Sequence, residues 1–164
     1  MPLFIEHQQL NIRRFVDEDK NDFISLVQHP LCMKYSMTGV LSEQQASKFF
    51  DTLMHNKKHK MYAIEEADTG LVIGCTGLQD CFIEEDLCIV FTLRLLPEFN
   101  QHQDLHPALK QLIEQLSSLH QLPKLQAVVA KKNQFIMQLL SDLNFEKIKV
   151  VTCRGIDSYL YQTC

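Results

Sequence analysis

Residues 87–119 combine the pattern of an apolar strand, a polar loop and an amphipathic helix. Residues 87–95 are rich in β-branched and aromatic side chains and contain neither Gly nor Pro, which predicts a buried strand that ends before Pro97. Beyond a polar loop, Pro107 suits the first turn of a helix. Apolar residues then repeat with helical spacing at Ala108, Leu109, Leu112, Ile113, Leu116 and Leu119. The pattern predicts a strand, a loop and a helix in direct succession.

The first third of the chain predicts one strand and two helices. Residues 10–15 alternate apolar and polar side chains, as in a half-buried strand. Acidic residues at 17–19 precede a helix that ends before Pro30. Residues 42–45, Ser-Glu-Gln-Gln, match a capping box and open the second helix. The apolar positions of the two helices are Phe23, Leu26 and Val27, and then Ala46, Phe49, Phe50 and Leu53.

The segment before the central strand has the pattern of a hairpin. Residues 61–66 and 71–78 predict two strands, and the Asp-Thr-Gly within 67–70 is typical of a hairpin turn. Gly74 and Gly77 lie inside the second strand, where glycine indicates a bulge or a close approach of another backbone.

The last forty residues predict strands on either side of one helix. Residues 125–130 form a strand, and Asn133 then caps a helix that ends near Asn144, a residue that tolerates the left-handed conformation. Two further strands are predicted at 148–153 and 158–162. Strands and helices therefore share the whole chain, which indicates a mixed α/β (α+β) fold.

Length and composition fit one folded domain. The chain has 164 residues, of which 46% are hydrophobic and 22% are charged, and this excludes a disordered protein. We expect a single domain over residues 1–164. No apolar run approaches the roughly 18 residues that span a bilayer, and no basic segment precedes the short apolar patch at the N-terminus. We expect a cytoplasmic protein with no membrane partner.

The charge balance argues against nucleic-acid binding. The formal net charge is -4, whereas proteins that bind phosphate backbones without sequence preference need a basic face. The pairs Lys57-Lys58 and Lys131-Lys132 are small enough to be ordinary solvated surface. We therefore expect no nucleic-acid partner.

The cysteines show no pattern of a metal or disulfide framework. The six residues at 32, 75, 81, 88, 153 and 164 contain no C-x-x-C pair, so we expect reduced thiols and no metal. Cys75 and Cys88 fall on predicted apolar strands, where burial raises the pKa of a thiol and lowers its reactivity. A cysteine nucleophile is therefore not expected.

Several segments resemble one family. Residues 93–99, Leu-Arg-Leu-Leu-Pro-Glu-Phe, resemble the strand and turn that open the acetyl-CoA site of the GNAT superfamily of N-acetyltransferases. Residues 73–78 resemble its Ile-Gly-x-x-Gly-Leu strand, and residues 133–145 resemble its Asn-helix-Gly-Phe segment, with Asn in place of Gly. The opening at residues 10–13 resembles the branch of ribosomal-protein N-acetyltransferases. The order of these segments, from residue 10 to residue 161, supports the resemblance.

The resemblance implies a fold and an activity. It implies a central mixed, mostly antiparallel sheet with helices on both faces, splayed between the strands that end near Leu95 and Val129. The pantetheine arm of acetyl-CoA would lie in the gap, and an amine would attack its thioester directly. The acceptor would be a primary amine on a small molecule or peptide: a protein N-terminus, an amino acid or a small amine. The protein would act as a monomer or homodimer.

The resemblance also implies site residues. Backbone groups of Leu93, Arg94 and Leu95 would bind pantetheine, and Asn133 is retained where the family has it, as a catalytic and cofactor-binding residue. The candidate bases are Glu84, Glu85 and Asp86, an acidic turn at the mouth of the expected cleft, and Glu85 is taken as the catalytic one; the alternative is that this turn is ordinary solvated surface. Tyr35, Ser36, Met37 and Thr38 would line the acceptor cleft. The pyrophosphate would lie against Asn100, Gln101, His102, Gln103, Asp104 and Leu105.

This last loop departs from the family pattern, Arg/Gln-x-x-Gly-x-Gly/Ala. The corresponding residues are Asn100, Gln103 and Leu105, so the loop is degenerate. Glycine suits a phosphate-binding loop because it adopts positive φ and allows close backbone approach, and Asn100 and Asp104 are the residues best able to replace it. Asp104 also places a carboxylate near an anionic ligand. Leu140 occupies the position of a usual proton-donating Tyr.

These departures leave two alternatives open. The first is a catalytically inactive GNAT-like binding or regulatory module that has lost normal CoA binding. The second is a cleft that accepts a different ligand, one without a pyrophosphate.

Overall fold

The computed structural model describes residues 4–36, 38–55 and 60–164, so Met37 and the pair Lys57-Lys58 lie outside the described residues. Within them the chain forms eight strands and four α-helices. In chain order these are β1 (Ile5–His7), β2 (Leu10–Arg13), α1 (Lys20–Gln28), α2 (Glu43–His55), β3 (Lys60–Glu66), β4 (Val72–Ile83), β5 (Asp86–Leu95), α3 (Leu105–Leu119), β6 (Gln126–Ala130), α4 (Gln134–Asp142), β7 (Phe145–Cys153) and β8 (Ile156–Thr163).

The strands form one sheet with the order β1-β2-β3-β4-β5-β6-β8-β7. Neighbouring strands are antiparallel except for β5 and β6, which are parallel. The expected mixed, mostly antiparallel sheet is therefore confirmed. No helix in the described ranges is long and apolar enough to cross a membrane.

The two faces of the sheet are covered by different helices. Ala63 and Ile64 are neighbours in β3, and because side chains alternate along a strand they enter different cores. Ala63 packs with the buried side chains of α1 and α2, which include Phe23 and Phe50. Ile64 belongs to the larger core that contains α3 and α4. Helices therefore lie on both faces, as the resemblance implies.

The central strand and helix differ from their predicted burial. The N-terminal half of β5 extends into an exposed hairpin, where Phe82 and Leu87 face each other and are 62% and 61% exposed. Helix α3 begins two residues before Pro107, and Leu119, its last residue, is 50% exposed. The remaining five predicted apolar positions of α3 are buried. Burial at these ends was predicted wrongly because periodicity does not show where a covering layer stops.

Local capping patterns were predicted correctly. The Ser42 hydroxyl accepts a hydrogen bond from the backbone N–H of Gln45 at 3.1 Å, and the Ser42 N–H donates to the Gln45 side chain at 3.0 Å. Asn144 ends α4 with a φ of 67°, in the left-handed region. The short strand β1 was not predicted, since it has three residues and little alternation.

Candidate active site

The sheet opens between β5 and β6. The two strands share one registered pair, Val90 with Gln126, at the start of β6. Beyond it, residues 91–95 have no partner on the β6 side in the described part of the chain. A cavity of about 420 Å³ occupies this gap. The predicted splay between the strands ending near Leu95 and Val129 is therefore present.

The cavity is lined by strands β4, β5 and β6, by helix α4 and by the α1–α2 connection, with further residues from the β5–α3 loop and the β7–β8 turn. The predicted acceptor-cleft residues Tyr35, Ser36 and Thr38 all line it, and the Ser36 and Thr38 hydroxyls are 3.0 Å apart. The predicted cofactor-binding residues that line it are Leu93, Arg94, Leu95, Asn100 and Asn133.

Asn133 has a structural contact as well as a position in the cavity wall. Its side-chain oxygen accepts a hydrogen bond from the Ile136 backbone N–H at 3.3 Å and so caps α4. The amide nitrogen of the same side chain makes no side-chain hydrogen bond among the described residues. Leu140 also lines the cavity and is almost fully buried. Asn133 therefore has a donor available for a ligand, whereas Leu140 contributes only apolar surface.

The loop between β5 and α3 is stabilised by hydrogen bonds between its own backbone groups. A short 3₁₀ turn spans Pro97–Phe99, and the N–H groups of Asn100, His102 and Leu105 donate to carbonyls three residues earlier in the loop. All residues from 96 to 105 have negative φ. The expectation that Asn100 and Asp104 supply a left-handed conformation is therefore wrong: their φ angles are −58° and −90°. In this conformation the loop does not require glycine for its φ angles.

Asp104 is directed away from the cavity. The residue is 2% exposed, and its carboxylate accepts a hydrogen bond from the Gln9 backbone N–H at 3.1 Å and lies 3.6 Å from His7 Nδ1. It therefore ties the N-terminus of α3 to the β1–β2 turn. Leu105 is buried in the core, and neither residue lines the cavity.

The other loop residues also lie outside the cavity wall. Gln101 and Gln103 are exposed, and their backbone N–H groups have no acceptor in the part of the chain described. His102 accepts a hydrogen bond from the Asp104 N–H at 3.1 Å through Nδ1. Two unpaired N–H groups therefore lie just before the N-terminus of α3, where a helix carries partial positive charge.

The acidic turn 84–86 is not part of the cavity. Glu85 is exposed at the β4–β5 hairpin, and none of the three acids is among the lining residues. Asp80, earlier in β4, does line the cavity and is exposed. Sequence analysis missed Asp80 because β4 was predicted to end at Leu78, five residues too early.

The Arg94 side chain is a second cavity residue with a charge. Only its backbone was predicted to matter, yet its guanidinium lies over the Phe49 ring at 5.9 Å from the centroid. Its nitrogens lie 4.0 Å from Cys75 Sγ and 3.5 Å from Gln79 Oε1. The alternation of β5 places it on the face covered by α1 and α2. The residue type alone gives no signal for this position.

Thiols near the cavity are in their neutral form at neutral pH. Burial raises the pKa of the Cys32 thiol, which lines the cavity, to about 12. Burial also raises the pKa of Cys75, as predicted for an apolar strand. Because the thiolate is the reactive form, neither residue is suited to covalent catalysis. No cluster of three or more His, Cys, Asp or Glu side chains that could hold a metal occurs in the ranges described.

Comparisons with known proteins give a family and a fold. A family model described as an acetyltransferase (GNAT) domain matches residues 9–146. No curated protein matches the sequence. Among solved structures, a GNAT-family acetyltransferase from Bacillus anthracis has a TM-score of 0.79 at 16% identity, covering 98% of this chain and 97% of that chain.

Two other similar structures are of acetyltransferases named for a substrate. A ribosomal-protein-S5-alanine acetyltransferase from Vibrio fischeri has a TM-score of 0.77 at 13% identity, covering 98% of this chain and 96% of its own. A spermidine N-acetyltransferase from Vibrio cholerae, solved in complex with CoA and spermine, has a TM-score of 0.76 at 16% identity and 95% coverage of both chains. Identities this low support the fold alone. Because the family model covers most of the chain and the fold agrees, the protein belongs to the GNAT acetyltransferase family.

Proposed function

We propose that this protein is an N-acetyltransferase that transfers the acetyl group of acetyl-CoA to a primary amine. The observation that carries the proposal is the gap between β5 and β6, where an unpaired strand edge borders a cavity of about 420 Å³. Pockets for small ligands have volumes of roughly 300 to 1,000 Å³. The two similar proteins named for spermidine and ribosomal protein S5 act on amines, so the proposed reaction is one that other proteins with this fold carry out.

The donor fits the gap because pantetheine is a narrow chain with two amide groups. An extended chain binds an open sheet edge through backbone hydrogen bonds, and Leu93, Arg94 and Leu95 offer such an edge on β5. The side chain of Asn133 adds an amide donor from the start of α4. The donor's acetyl end would then lie between the two strands, next to the α1–α2 connection.

The pyrophosphate has a simpler site than the family pattern describes. The free N–H groups of Gln101 and Gln103, together with Asn100 at the cavity edge, precede the N-terminus of α3. Backbone N–H groups and the helix dipole both favour an anion at this position. The side chains of Gln101 and Gln103 are exposed, so they leave the backbone accessible. The Asp104 carboxylate is turned away and does not oppose the anion at short range.

The chemistry requires one proton acceptor. The neutral amine attacks the thioester carbonyl carbon, the C–S bond breaks, and the amine proton leaves to a base directly or through water. Asp80 is a carboxylate on the cavity wall, on the same face of β4 as Leu78 and opposite to Arg94, so it would take the proton through water, as would Glu85 at the nearby hairpin. Thiols are much stronger acids than alcohols, so the departing thiolate needs less help from an acid than an alkoxide would. Leu140 in place of a Tyr is therefore compatible with turnover.

Binding and turnover are tested together. Isothermal titration with acetyl-CoA is expected to show saturable binding, and mass spectrometry of a reaction with an amine mixture is expected to show products heavier by one acetyl group. Asp80→Asn is expected to lower kcat by about 100-fold, within the range for loss of a general base, with a smaller effect for Glu85→Gln. No binding at millimolar acetyl-CoA would mean that the cleft takes another ligand. Binding without turnover of any amine would support the inactive module.

A further inference from the structure

Arg94 is a half-buried cation that lacks a carboxylate partner within the described residues. No carboxylate oxygen lies within 4.0 Å of its guanidinium among the ion pairs of the described chain. Its contact with Gln79 Oε1, at 3.5 Å, is longer than the usual 2.9 Å of an N–H···O bond, and its other polar contact, at 4.0 Å, is with the weakly accepting sulfur of Cys75. A guanidinium has five N–H donors, so most of its hydrogen-bonding capacity is unused.

Arg13, in contrast, has carboxylate partners for its guanidinium in the same protein. Its guanidinium lies 2.8 Å from the Asp19 carboxylate and 2.8 Å from the Glu65 carboxylate, and its side chain is similarly half-buried. Glu65 lies in β3, which pairs with β2, and Asp19 lies six residues after Arg13 in the chain. At Arg94 the corresponding space is the open cavity, which the chain itself does not fill.

The cavity as a whole favours an anion. Its charged lining residues are Arg94, Arg154 and Asp80, so two cations oppose one carboxylate. The other titratable lining groups, Cys32, Tyr35 and Cys81, carry no cation. Thr92 lies two residues before Arg94 on the same face of β5, and its hydroxyl is buried without a partner in the described chain. A polar ligand in the cavity would supply the partner that this hydroxyl lacks.

We propose that the acceptor amine belongs to a molecule that also carries a carboxylate, which the Arg94 guanidinium binds from the cavity wall. This inference rests on the proposed acetyltransferase function. Arginine and a carboxylate match in geometry because two parallel N–H groups can donate to the two oxygens. A molecule whose carboxylate is bound there would lie in the same cavity as the open edge of β5, next to the proposed position of the thioester. A polycation such as spermidine would be repelled by Arg94, so it is a poor acceptor for this chain.

A competition assay tests the inference. The protein and acetyl-CoA are incubated with equimolar free amino acids, the same amino acids as C-terminal amides, peptide amides with an acidic second residue, and spermidine. Acetylated products are quantified by mass spectrometry. We expect carboxylate-bearing amines to react at least about tenfold faster than the matched amides, as the loss of a charge-assisted hydrogen bond requires. The free amino acids and the acidic peptides distinguish the two sources of the carboxylate.

The other possible results contradict either the carboxylate inference alone or the proposed acetyltransferase function as well. Equal rates for acids and amides, or a preference for spermidine, would overturn the inference and leave the acetyltransferase function standing. Binding of acetyl-CoA without acetylation of any carboxylate-bearing amine would overturn it as well. Failure to bind acetyl-CoA in isothermal titration would contradict the proposed function itself, and the inference with it.

Matched variants locate the effect at Arg94. Arg94→Gln is expected to lower kcat/KM for the preferred carboxylate-bearing amine about 10- to 100-fold. The kcat/KM for the matched C-terminal amide is expected to change less than about twofold. Arg94→Lys should fall between, because lysine keeps the charge but not the planar pair of donors. Arg14→Gln removes the same charge from an exposed arginine outside the cavity and serves as the control. An equal loss for acid and amide would contradict recognition of a carboxylate.

Thermal denaturation separates this role from a structural one. An unpaired half-buried cation opposes folding, so Arg94→Gln is expected to have an unchanged or higher Tm. If Arg94 served mainly to pack on Phe49, the same variant would have a lower Tm and would weaken turnover of every acceptor alike.

Discussion

Val90 of β5 and Gln126 of β6 form the one registered pair between these strands in the described chain, and the strands separate directly after it. A parallel pair that continued would saturate the backbone of residues 91–95 and leave no space for a ligand. The position of this single pair therefore determines whether the fold has a cleft at all.

Asn133 is predicted to serve both the helix and the ligand. Asn133→Ala should lower the free energy of unfolding by about 1 kcal/mol, because α4 loses its N-cap. Asn133→Ser keeps an oxygen for the cap but removes the amide donor, so it should retain stability and still lose acetyl-CoA affinity. Thermal melts and isothermal titration on both variants measure the two effects. Full acetyl-CoA affinity in Asn133→Ser would limit this residue to capping.

Asp104 is predicted to stabilise the fold without opposing CoA. Asp104→Ala leaves the Gln9 N–H without its acceptor and should cost about 1 to 3 kcal/mol of unfolding free energy in urea denaturation. Asp104→Asn keeps an acceptor oxygen and should be much closer to wild type. Because the carboxylate faces the β1–β2 turn, Asp104→Asn should bind acetyl-CoA with unchanged affinity. A marked gain in affinity would show that the charge does repel the pyrophosphate.

Gly77 is predicted to be irreplaceable for steric reasons. Its φ is +143°, and a Cβ there would lie 2.0 Å from the Lys60 carbonyl oxygen. Gly77→Ala should therefore lower the free energy of unfolding by about 3 kcal/mol or more, from strain and overpacking together. Gly155 also has positive φ, at +75°, but open space around it, so Gly155→Ala should cost only about 1 to 2 kcal/mol. Equal losses in chemical denaturation would refute the close contact between β3 and β4.

Cys32 is predicted to react slowly with alkylating agents at neutral pH. Burial raises its pKa to about 12, from 9.0 for an exposed thiol, so the thiolate fraction stays very small below pH 9. The alkylation rate should rise about tenfold per pH unit up to pH 11, where an exposed thiol would already have levelled off. Peptide mapping after iodoacetamide treatment measures this for Cys32 separately. A plateau near pH 9 would show that the side chain is solvated.

The elements that were predicted correctly depend on local patterns. The capping box at Ser42 and the left-handed Asn144 are determined by residues within one helical turn. Side-chain contacts between segments that are distant in the sequence were not predicted. The partner of the Asp104 carboxylate is 95 residues away in the sequence, and no local pattern indicates it.

In the candidate site, the features of the backbone were predicted and the roles of individual side chains were not. The splay and the position of Asn133 followed from the resemblance, and both are features of backbone geometry. The side chain of Arg94 was not predicted to be part of the site. Its interest comes from the lack of a carboxylate partner among the described residues, and this can be recognised only in the folded structure. Asp80 was missed because the exposed end of β4 has no apolar pattern that marks its length.

Hydrogen–deuterium exchange with and without acetyl-CoA tests most directly whether the donor occupies the gap between β5 and β6. At a ligand concentration about 100 times Kd, amides in residues 91–95 and 127–130 should exchange up to about 100-fold more slowly, while those of β1 and β2 should be unchanged. Saturation with acetyl-CoA and no slowing in these two segments would contradict the proposed site.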